Sequence, residues 1–326
     1  MKRLAILDDY QNAALSMADW ASLKPEVAID VLNAPLRGID AAAAKLKDYE
    51  ILIAMRERTP FPRALLERLP KLKLLVTTGT RNASIDVKAA VDRGVLVCGT
   101  GMLPHPTAEL TLGLILSLAR HIPYEHQGMR EGAWQWALGM SLNGRKLGVV
   151  GLGKLGSEVA RLCQALHMEV IAWSPNLTAE RAAKAGVERV EKEALFANAD
   201  VVTVHMVLSE RSRGIVDAAS IAAMKKSAYL VNTSRGPLVD TKALIQALTE
   251  RRIAGAAIDV YDEEPLPAEH PLRKLDNVVL TPHLAGSSRE TRVKQTRNAF
   301  DNVLRVNRGE RPLWVVPELR DMPARQ

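Results

Sequence analysis

The feature that most constrains this chain is a glycine motif, Gly151-x-Gly153-x-x-Gly156, near the middle of its 326 residues. A short apolar run, 146–150, precedes the motif, and a segment with apolar residues at helical spacing follows it. Glycines at these positions permit a tight turn, a close backbone approach to a pyrophosphate, and close packing of the next helix. The N-terminus of that helix offers N–H groups and a positive dipole end to an anion. Together these features predict a dinucleotide-binding strand–turn–helix unit.

The mid-chain position of the motif is unusual, because a dinucleotide fingerprint normally opens a domain. Residues 1–100 already alternate between apolar strands and helical patterns, which predicts a parallel sheet covered by helices on both faces. A second array of the same kind begins at Lys146. We therefore expect an α/β protein with two doubly wound domains. A Rossmann nucleotide-binding domain, 101–286, would be inserted into a flavodoxin-like substrate domain formed by 1–100 and 287–326.

Composition is ordinary for a globular protein, with 47% hydrophobic and 25% charged residues. The longest strongly apolar run, Leu110–Ala119, is too short to span a bilayer, and the N-terminus does not resemble a signal peptide. Cys98 and Cys163 both lie in apolar runs, and neither belongs to a Cys/His cluster. We therefore expect a cytoplasmic protein that has neither a membrane segment nor a metal site.

The net charge of +7 raises the question of nucleic-acid binding. However, the basic residues are scattered, and an aromatic content of 4% leaves few platforms on which bases can stack. The densest basic run, Arg289–Arg311, has a spacing typical of a solvated helix face. We expect a small anionic ligand and no nucleic acid.

The segment 107–121 is apolar on nearly all sides, which is typical of a helix buried between domains or subunits. Residues 123–144 show no clear periodicity and predict irregular structure. They contain Trp134 and Trp136, which suggests an arm at an interface.

Three polar segments follow apolar strands in the second half, at 231–237, 259–265 and 280–286. Arg235 offers a planar fork to a carboxylate and an adjacent carbonyl. His283 can supply a proton, and a carboxylate beside an imidazole favours its charged form. Spacing alone does not choose between Glu263 and Glu264 for that carboxylate. With a nicotinamide, these groups fit the reduction of a 2-oxo acid.

The same segments resemble the D-isomer-specific 2-hydroxyacid dehydrogenase family, and the likeness covers nearly the whole chain. Its strongest parts are GLGKLG at 151–156, LVNTSRGPLVD at 230–240, AAIDVYDEEPLP at 256–267 and NVVLTPHLAG at 277–286. The resemblance implies interconversion of a 2-oxo acid and a D-2-hydroxy acid with NAD or NADP. It implies catalytic roles for Arg235, Glu264 and His283.

The resemblance also implies binding residues and a homodimer built around the helix at 107–121. The expected cofactor-binding residues are Gly151, Gly153, Lys154, Leu155, Gly156, Ser174, Thr233 and Asp259, of which Asp259 meets the nicotinamide carboxamide. The expected substrate-binding residues are Thr78, Gly79 and Thr80 through their backbone, together with Arg56 and Arg58.

Two segments of the sequence leave alternatives open. Ser174 stands where NAD-preferring members usually carry an acid that binds the ribose, so the enzyme either accepts NADPH or is a tolerant NAD enzyme. Arg56 and Arg58 resemble a segment of the phosphoglycerate dehydrogenase branch. They either bind a phosphate or second carboxylate of the substrate, or form a solvated surface pair.

A substrate of glyoxylate, hydroxypyruvate or phosphoglycerate type fits these alternatives, and the size of the substrate stays open. A different class of function also remains, because some relatives of the family act as NAD(H)-sensing corepressors. A chain of that kind would bind the cofactor without significant turnover.

Overall fold

Two parallel β-sheets, of five and seven strands, organise the fold and confirm the predicted α/β class. The computed structural model describes residues 1–24, 26–313, 315–316 and 319. Its two units comprise Met1–Leu103 with Ser288–Gln326, and Pro104–Ser287. The sequence places these divisions at 100/101 and 286/287, and residues 320–326 of the predicted first domain lie outside the described residues.

The first unit contains a five-stranded sheet in the order β2-β1-β3-β4-β5. Its strands are β1 (Lys2–Leu7), β2 (Val27–Leu32), β3 (Ile51–Ala54), β4 (Leu74–Thr77) and β5 (Leu96–Cys98). The strand order reverses between β1 and β3. In doubly wound sheets, ligands bind outside the carboxyl ends of the strands at such a switch point.

Helices cover both faces of the first sheet. They are α1 (Ile39–Leu46), α2 (Arg63–Leu66), α3 (Val87–Asp92) and, from the end of the chain, α11 (Arg289–Asn307). Side chains alternate along β1, so that Ala5 and Leu7 pack with α1–α3 on one face. Leu4 and Ile6 pack on the other face, in a core that includes Val303 of α11. Residues on both faces of a strand are apolar because both faces are covered.

The second unit contains a seven-stranded sheet in the order β12-β11-β10-β9-β6-β7-β8. Its strands are β6 (Lys146–Val150), β7 (Glu169–Trp173), β8 (Glu188–Arg189), β9 (Val201–Val204), β10 (Tyr229–Asn232), β11 (Gly255–Ile258) and β12 (Val278–Leu280). The order reverses between β6 and β9, and β6 leads directly into the glycine motif. This is the Rossmann arrangement that the motif predicts.

Helices also cover both faces of the second sheet. They are α4 (His105–Ala119), α5 (Ile122–Arg130), α6 (Lys154–Gln164), α7 (Ala179–Lys184), α8 (Lys192–Asn198), α9 (Ala218–Ala223) and α10 (Thr241–Thr249). Leu114 and Ile115 of α4 share a core with Val159 of α6. The opposite face is covered by α8, α9 and α10. No described helix is long and apolar enough to cross a membrane.

The prediction of irregular structure for 123–144 is wrong at its start, where α5 extends over Ile122–Arg130. The helix escaped detection because Gly128 is its one buried residue, so no apolar stripe marks a core-facing side. The segment that follows α5 is hydrogen-bonded to this helix. The Glu125 carboxylate accepts hydrogen bonds from the backbone N–H groups of Trp136 (3.2 Å) and Ala137 (2.7 Å).

Candidate active site

The three glycines of the motif meet different physical demands. Gly151 has φ of 101°, and a Cβ there would lie 2.8 Å from the carbonyl oxygen of His205. A Cβ on Gly156 would collide with the carbonyl oxygen of Gly151. On Gly153, however, a Cβ would meet no atom of the described chain within 4 Å. Gly151 and Gly156 are therefore required by the protein itself, whereas Gly153 leaves open space before α6 that fits a pyrophosphate.

The other predicted cofactor residues stand at the start of α6 or after strands of the same sheet. Lys154 and Leu155 open α6, where Lys154 is exposed and Leu155 is half-buried. Ser174 directly follows β7 and is partly exposed. Thr233 follows β10, and its hydroxyl lies 2.8 Å from that of Thr111 in α4, both buried. The Thr233 side chain is thus engaged within its own unit.

His283 and Glu264 form a hydrogen-bonded pair in the second unit. His283 follows β12 in a left-handed turn, with φ of 54°. Its Nδ1 lies 2.6 Å from Oε2 of Glu264, and the two side chains are 16% and 23% exposed. The other carboxylate oxygen, Oε1, accepts a hydrogen bond from the Tyr261 N–H at 3.0 Å. The neighbouring Glu263 is exposed, so the structure selects Glu264 as the partner of the imidazole.

Charged neighbours determine the protonation of Glu264. Burial by itself raises the pKa of Glu264, but the hydrogen bond and charge of His283 outweigh it, and the charge of Arg235 adds to them. The pKa of Glu264 is therefore lower than the ordinary value, and the carboxylate is ionised at neutral pH. Within the described chain His283 Nε2 makes no hydrogen bond, so this nitrogen is available to a reacting group.

Asp259 holds the loop that carries His283. Its Oδ1 accepts hydrogen bonds from the Thr281 hydroxyl at 2.6 Å and the Leu284 N–H at 2.7 Å, and its Oδ2 accepts one from the Ala285 N–H at 2.9 Å. Its backbone carbonyl accepts from the His283 N–H at 2.8 Å. Burial raises the pKa of Asp259, while these donors oppose the rise. Sequence reasoning assigned Asp259 to the nicotinamide and missed this clamp, for which the sequence offers only a carboxylate at a strand end.

Arg235 lies at the same edge of the sheet, after β10. Its Nη1 donates to the Ser234 carbonyl at 2.6 Å, and its own carbonyl accepts from Asn232 Nδ2 at 2.9 Å. Gly236 allows the next turn to touch the chain at Tyr261, because a Cβ there would collide with the Tyr261 carbonyl group. Since β10, β11 and β12 are parallel neighbours, the three predicted polar segments meet at one edge.

In the first unit, the predicted loop 78–80 follows β4. The Thr78 N–H donates to the Ala54 carbonyl at 3.0 Å, and the Gly79 N–H donates to the Thr100 hydroxyl at 2.8 Å. The exposed Thr80 has no such bond from its N–H within the part of the chain that the structure describes. Of the three N–H groups expected to bind a carboxylate, that of Thr80 is therefore the one left for a ligand.

Arg56 and Arg58 both follow β3, at the carboxyl edge of the first sheet. The Arg56 N–H donates to the Thr78 hydroxyl at 2.9 Å, and Arg58 Nη1 donates to the Asp8 carbonyl at 2.9 Å. Both side chains are partly buried and neither is a freely solvated surface arginine. Among the described residues, no three His, Cys, Asp or Glu side chains are grouped to hold a metal ion.

Known proteins resemble this chain over most of its length. Residues 112–285 match the NAD-binding domain of the D-isomer-specific 2-hydroxyacid dehydrogenases. A glyoxylate reductase from Korarchaeum cryptofilum is 37% identical over 275 residues, which are 82% of each protein. A D-3-phosphoglycerate dehydrogenase from Archaeoglobus fulgidus is 36% identical over 264 residues, 80% of this chain but 50% of that protein. The chain thus spans half the length of that relative.

The fold itself is also found among solved structures. The crystal structure of a phosphoglycerate oxidoreductase from Vibrio cholerae superposes with a TM-score of 0.89 at 35% sequence identity. The match covers 94% of this chain and 99% of that one, so it includes both units.

Proposed function

Because this chain belongs to the D-isomer-specific 2-hydroxyacid dehydrogenases, which are nicotinamide-dependent oxidoreductases, we propose that it reduces a 2-oxo acid with His283 as the general acid. The observation that carries this proposal is the 2.6 Å contact between His283 Nδ1 and Glu264 Oε2. That contact orients the ring and leaves Nε2 to hold the transferred proton. In the oxidative direction the same nitrogen accepts the proton from the hydroxyl group.

NAD(P)H, which the turn Gly151–Gly156 at the start of α6 would hold, would supply the hydride for C2 of the substrate. Arg235 holds the substrate carboxylate through its planar guanidinium and polarises the adjacent carbonyl. His283 protonates the oxygen as negative charge develops on it. Glu264 stays ionised and stabilises the imidazolium, and Asp259 keeps the His283 turn in place. Each role uses a group that stands at the carboxyl edge of β10, β11 or β12.

The substrate is proposed to be a small 2-oxo acid of glyoxylate, hydroxypyruvate or phosphohydroxypyruvate type, in line with the names of the relatives. The test is a panel of glyoxylate, hydroxypyruvate, pyruvate, phenylpyruvate and 3-phosphohydroxypyruvate, each with NADH and with NADPH. Initial rates above background for at least one pair support the proposal. Tight cofactor binding with no turnover on any acid favours instead an NAD(H)-sensing binding protein.

The cofactor is proposed to include NADPH, because Ser174 puts no carboxylate against a 2′-phosphate. Arg181 lies near the same loop, and its Nη1 donates to the Asn176 carbonyl at 3.3 Å. We expect Ser174→Asp to raise the ratio of kcat/KM for NADH over NADPH by about tenfold or more, through charge repulsion and a new ribose contact. Ser174→Ala, which adds no charge, is the control. An unchanged ratio in Ser174→Asp contradicts the assignment of this position.

A homodimer is proposed, carried by a surface that we call the apolar arm, residues 122–138. Its exposed apolar side chains are Ile122, Tyr124, Met129, Trp134, Trp136 and Leu138. Trp134 is 75% exposed, although large aromatic side chains normally bury about 150–250 Å² each. Leu138 is 97% exposed. The core-facing side chains of α4 are used inside the second unit, so the arm offers more apolar surface than the predicted helix at 107–121. This concentration of exposed apolar side chains supports an interface.

Light scattering of the purified protein tests the dimer. We expect a dimeric mass for the wild type and a shift to monomer in Trp134→Ser/Leu138→Ser, with an unchanged circular dichroism spectrum. A monomeric wild type at micromolar concentration contradicts the proposal. A cytoplasmic location stays a prediction, in keeping with two free, buried cysteines.

A further inference from the structure

The buried side of α4 contacts the loop that carries Arg235. The Thr111 hydroxyl oxygen in α4 lies 2.8 Å from the hydroxyl oxygen of Thr233, which directly follows β10 and precedes Arg235 by two residues. Thr111 and Thr233 are 0% and 4% exposed, so bulk solvent does not replace this bond. It joins a helix to a strand end 122 residues further along the chain.

The same helix also contacts the loop that carries His283. Thr107 lies one helical turn before Thr111, and its hydroxyl donates to the Ala285 carbonyl at 3.2 Å. Ala285 stands two residues after His283, and its N–H donates to the Asp259 carboxylate at 2.9 Å. The contact from α4 therefore reaches the residue whose carboxylate holds the His283 turn.

The hydrogens of these hydroxyl groups have a fixed order. The Thr111 hydroxyl donates to the Thr107 carbonyl at 2.7 Å, a common bond for a threonine within a helix. A hydroxyl group carries one hydrogen, so in the second contact Thr233 must donate and the Thr111 oxygen must accept. The unusual feature is this second bond, because it extends a local helix contact to the end of a strand.

Three threonines thus connect the two loops through α4, and we call Thr233, Thr111 and Thr107 the threonine bridge. Removal of the Thr111 hydroxyl would leave the buried Thr233 hydroxyl without this acceptor, while the backbone bonds of α4 would remain. In the proposed reaction Arg235 and His283 act on neighbouring groups of one substrate, so small changes in their spacing lower the rate.

We propose that Thr111 is a positioning residue, which sets the spacing between the Arg235 loop and the His283 loop through the threonine bridge. This inference rests on the proposed function, in which both loops act on one 2-oxo acid. Thr111 is fully buried, so it acts through Thr233 and Thr107 and does not touch the substrate.

The first test removes the hydroxyl and keeps the shape of the side chain. Valine has the same branching as threonine, so Thr111→Val leaves the packing of α4 intact. We expect kcat on the best acid of the panel to fall about three- to tenfold, the range for one net hydrogen bond. KM for that acid should change by no more than about twofold, because Arg235 keeps its own bonds to Ser234 and Asn232.

Two further variants separate positioning from a general loss of stability. Thr111→Ser keeps the hydroxyl and should restore kcat. Thr203→Val is the matched control, since Thr203 is also 0% exposed in the same sheet but its hydroxyl meets His205, outside the bridge. It should keep kcat within about twofold of the wild type. The proposal is overturned if Thr111→Val keeps wild-type kcat, if Thr111→Ser is as slow as Thr111→Val, or if Thr203→Val loses as much.

A double variant tests the path itself. Since the bridge reaches Asp259 through Ala285, the effects of Thr111→Val and Asp259→Asn should not be independent. In the Asp259→Asn background, Thr111→Val should lower kcat by less than about twofold. Losses that multiply in the double variant would show that Thr111 does not act on His283 through this path. If Thr111→Val does not fold, Thr107→Val, which removes the bond to Ala285, takes its place in each measurement.

Hydrogen–deuterium exchange separates a failure of this inference from a failure of the proposed function, because it needs no turnover. The Leu284 and Ala285 N–H groups donate to Asp259, so peptides that span 280–286 should exchange slowly in the wild type. Thr111→Val should accelerate exchange in 280–286 and in 230–237 by about three- to tenfold, and Thr111→Ser should not. With this result and no turnover of any acid, the bridge stands and the proposed function fails. Wild-type exchange in Thr111→Val overturns the bridge, whether or not the protein is active.

Discussion

Two histidines stand at the carboxyl edge of the seven-stranded sheet, His205 after β9 and His283 after β12. His283 Nδ1 meets a carboxylate oxygen of Glu264 at 2.6 Å. His205 Nε2 meets the Thr203 hydroxyl at 2.9 Å, and burial lowers the pKa of His205 to about 4. The same residue type at the same edge thus lies in two opposite electrostatic environments.

The difference shows what makes a strand-end histidine fit for proton transfer. His205 is neutral at neutral pH because its surroundings offer a hydroxyl group and burial, which do not compensate a positive charge. His283 has an ionised carboxylate on one ring nitrogen and a second ring nitrogen available. Position in the sheet brings a histidine near the ligand edge, but the carboxylate partner is what suits it to the proposed acid–base role.

The largest expected effect comes from removing the paired histidine. We expect His283→Ala to lower kcat by about 10³-fold, the range of general acid–base catalysis, because no group replaces the proton donor. Cofactor affinity, measured by fluorescence titration of NAD(P)H, should stay nearly unchanged. His205→Gln is the matched control and should retain kcat within a few-fold. Full activity in His283→Ala contradicts the acid–base assignment.

A smaller loss is expected when the loop of His283 is loosened. Asp259→Asn replaces one acceptor oxygen by an NH₂ group, which then faces an N–H or O–H donor. We expect kcat to fall about 10- to 100-fold, since the loop loses bonds that fix the imidazole. Steady-state kinetics on the substrate identified in the panel provide the measurement.

Thr281→Val serves as the graded control for the clamp, because it removes one of the three donors to the Asp259 carboxylate. Its kcat should fall less than that of Asp259→Asn. Wild-type kcat in Asp259→Asn, or a larger loss in Thr281→Val, would show that the clamp does not position His283.

The smallest effect concerns His205 and appears in stability. The unfolded chain binds this proton near pH 6.5, whereas the folded protein binds it at about pH 4. The contribution of neutral His205 to the stability of the folded protein is therefore fully present above pH 6.5. It is lost as the pH falls through about 4. We expect His205→Gln to lack this contribution, which is on the order of 1–3 kcal/mol.

Urea unfolding at pH 7.5, 6 and 5 measures this difference. As the pH is lowered, the free energy of unfolding should fall more steeply in the wild type than in His205→Gln. All other titrating groups are common to both proteins, so the difference in slope belongs to His205. Parallel pH profiles would mean that His205 is not buried in neutral form.

Local sequence patterns predicted secondary structure where a single periodicity or a single residue type determines it. The apolar run at 146–150 predicted a strand, and the glycine motif predicted the turn between β6 and α6. The helix α5 was missed because its apolar side chains face outward, so its sequence lacks the stripe that marks a core-facing helix. Short helices such as α8 carry too few turns for a clear period.

By itself, the sequence determined the alternation of strands and helices, the glycine turn, and the presence of Arg235, Glu264 and His283 at strand ends. These features depend on backbone conformation and on spacing along the chain, which neighbouring residues fix. The tertiary structure decided that Glu264, and not Glu263, meets His283. It also decided how Asp259 is used, as the acceptor that holds the loop of His283. Such pairings depend on distances through space between strand ends, which no local pattern encodes.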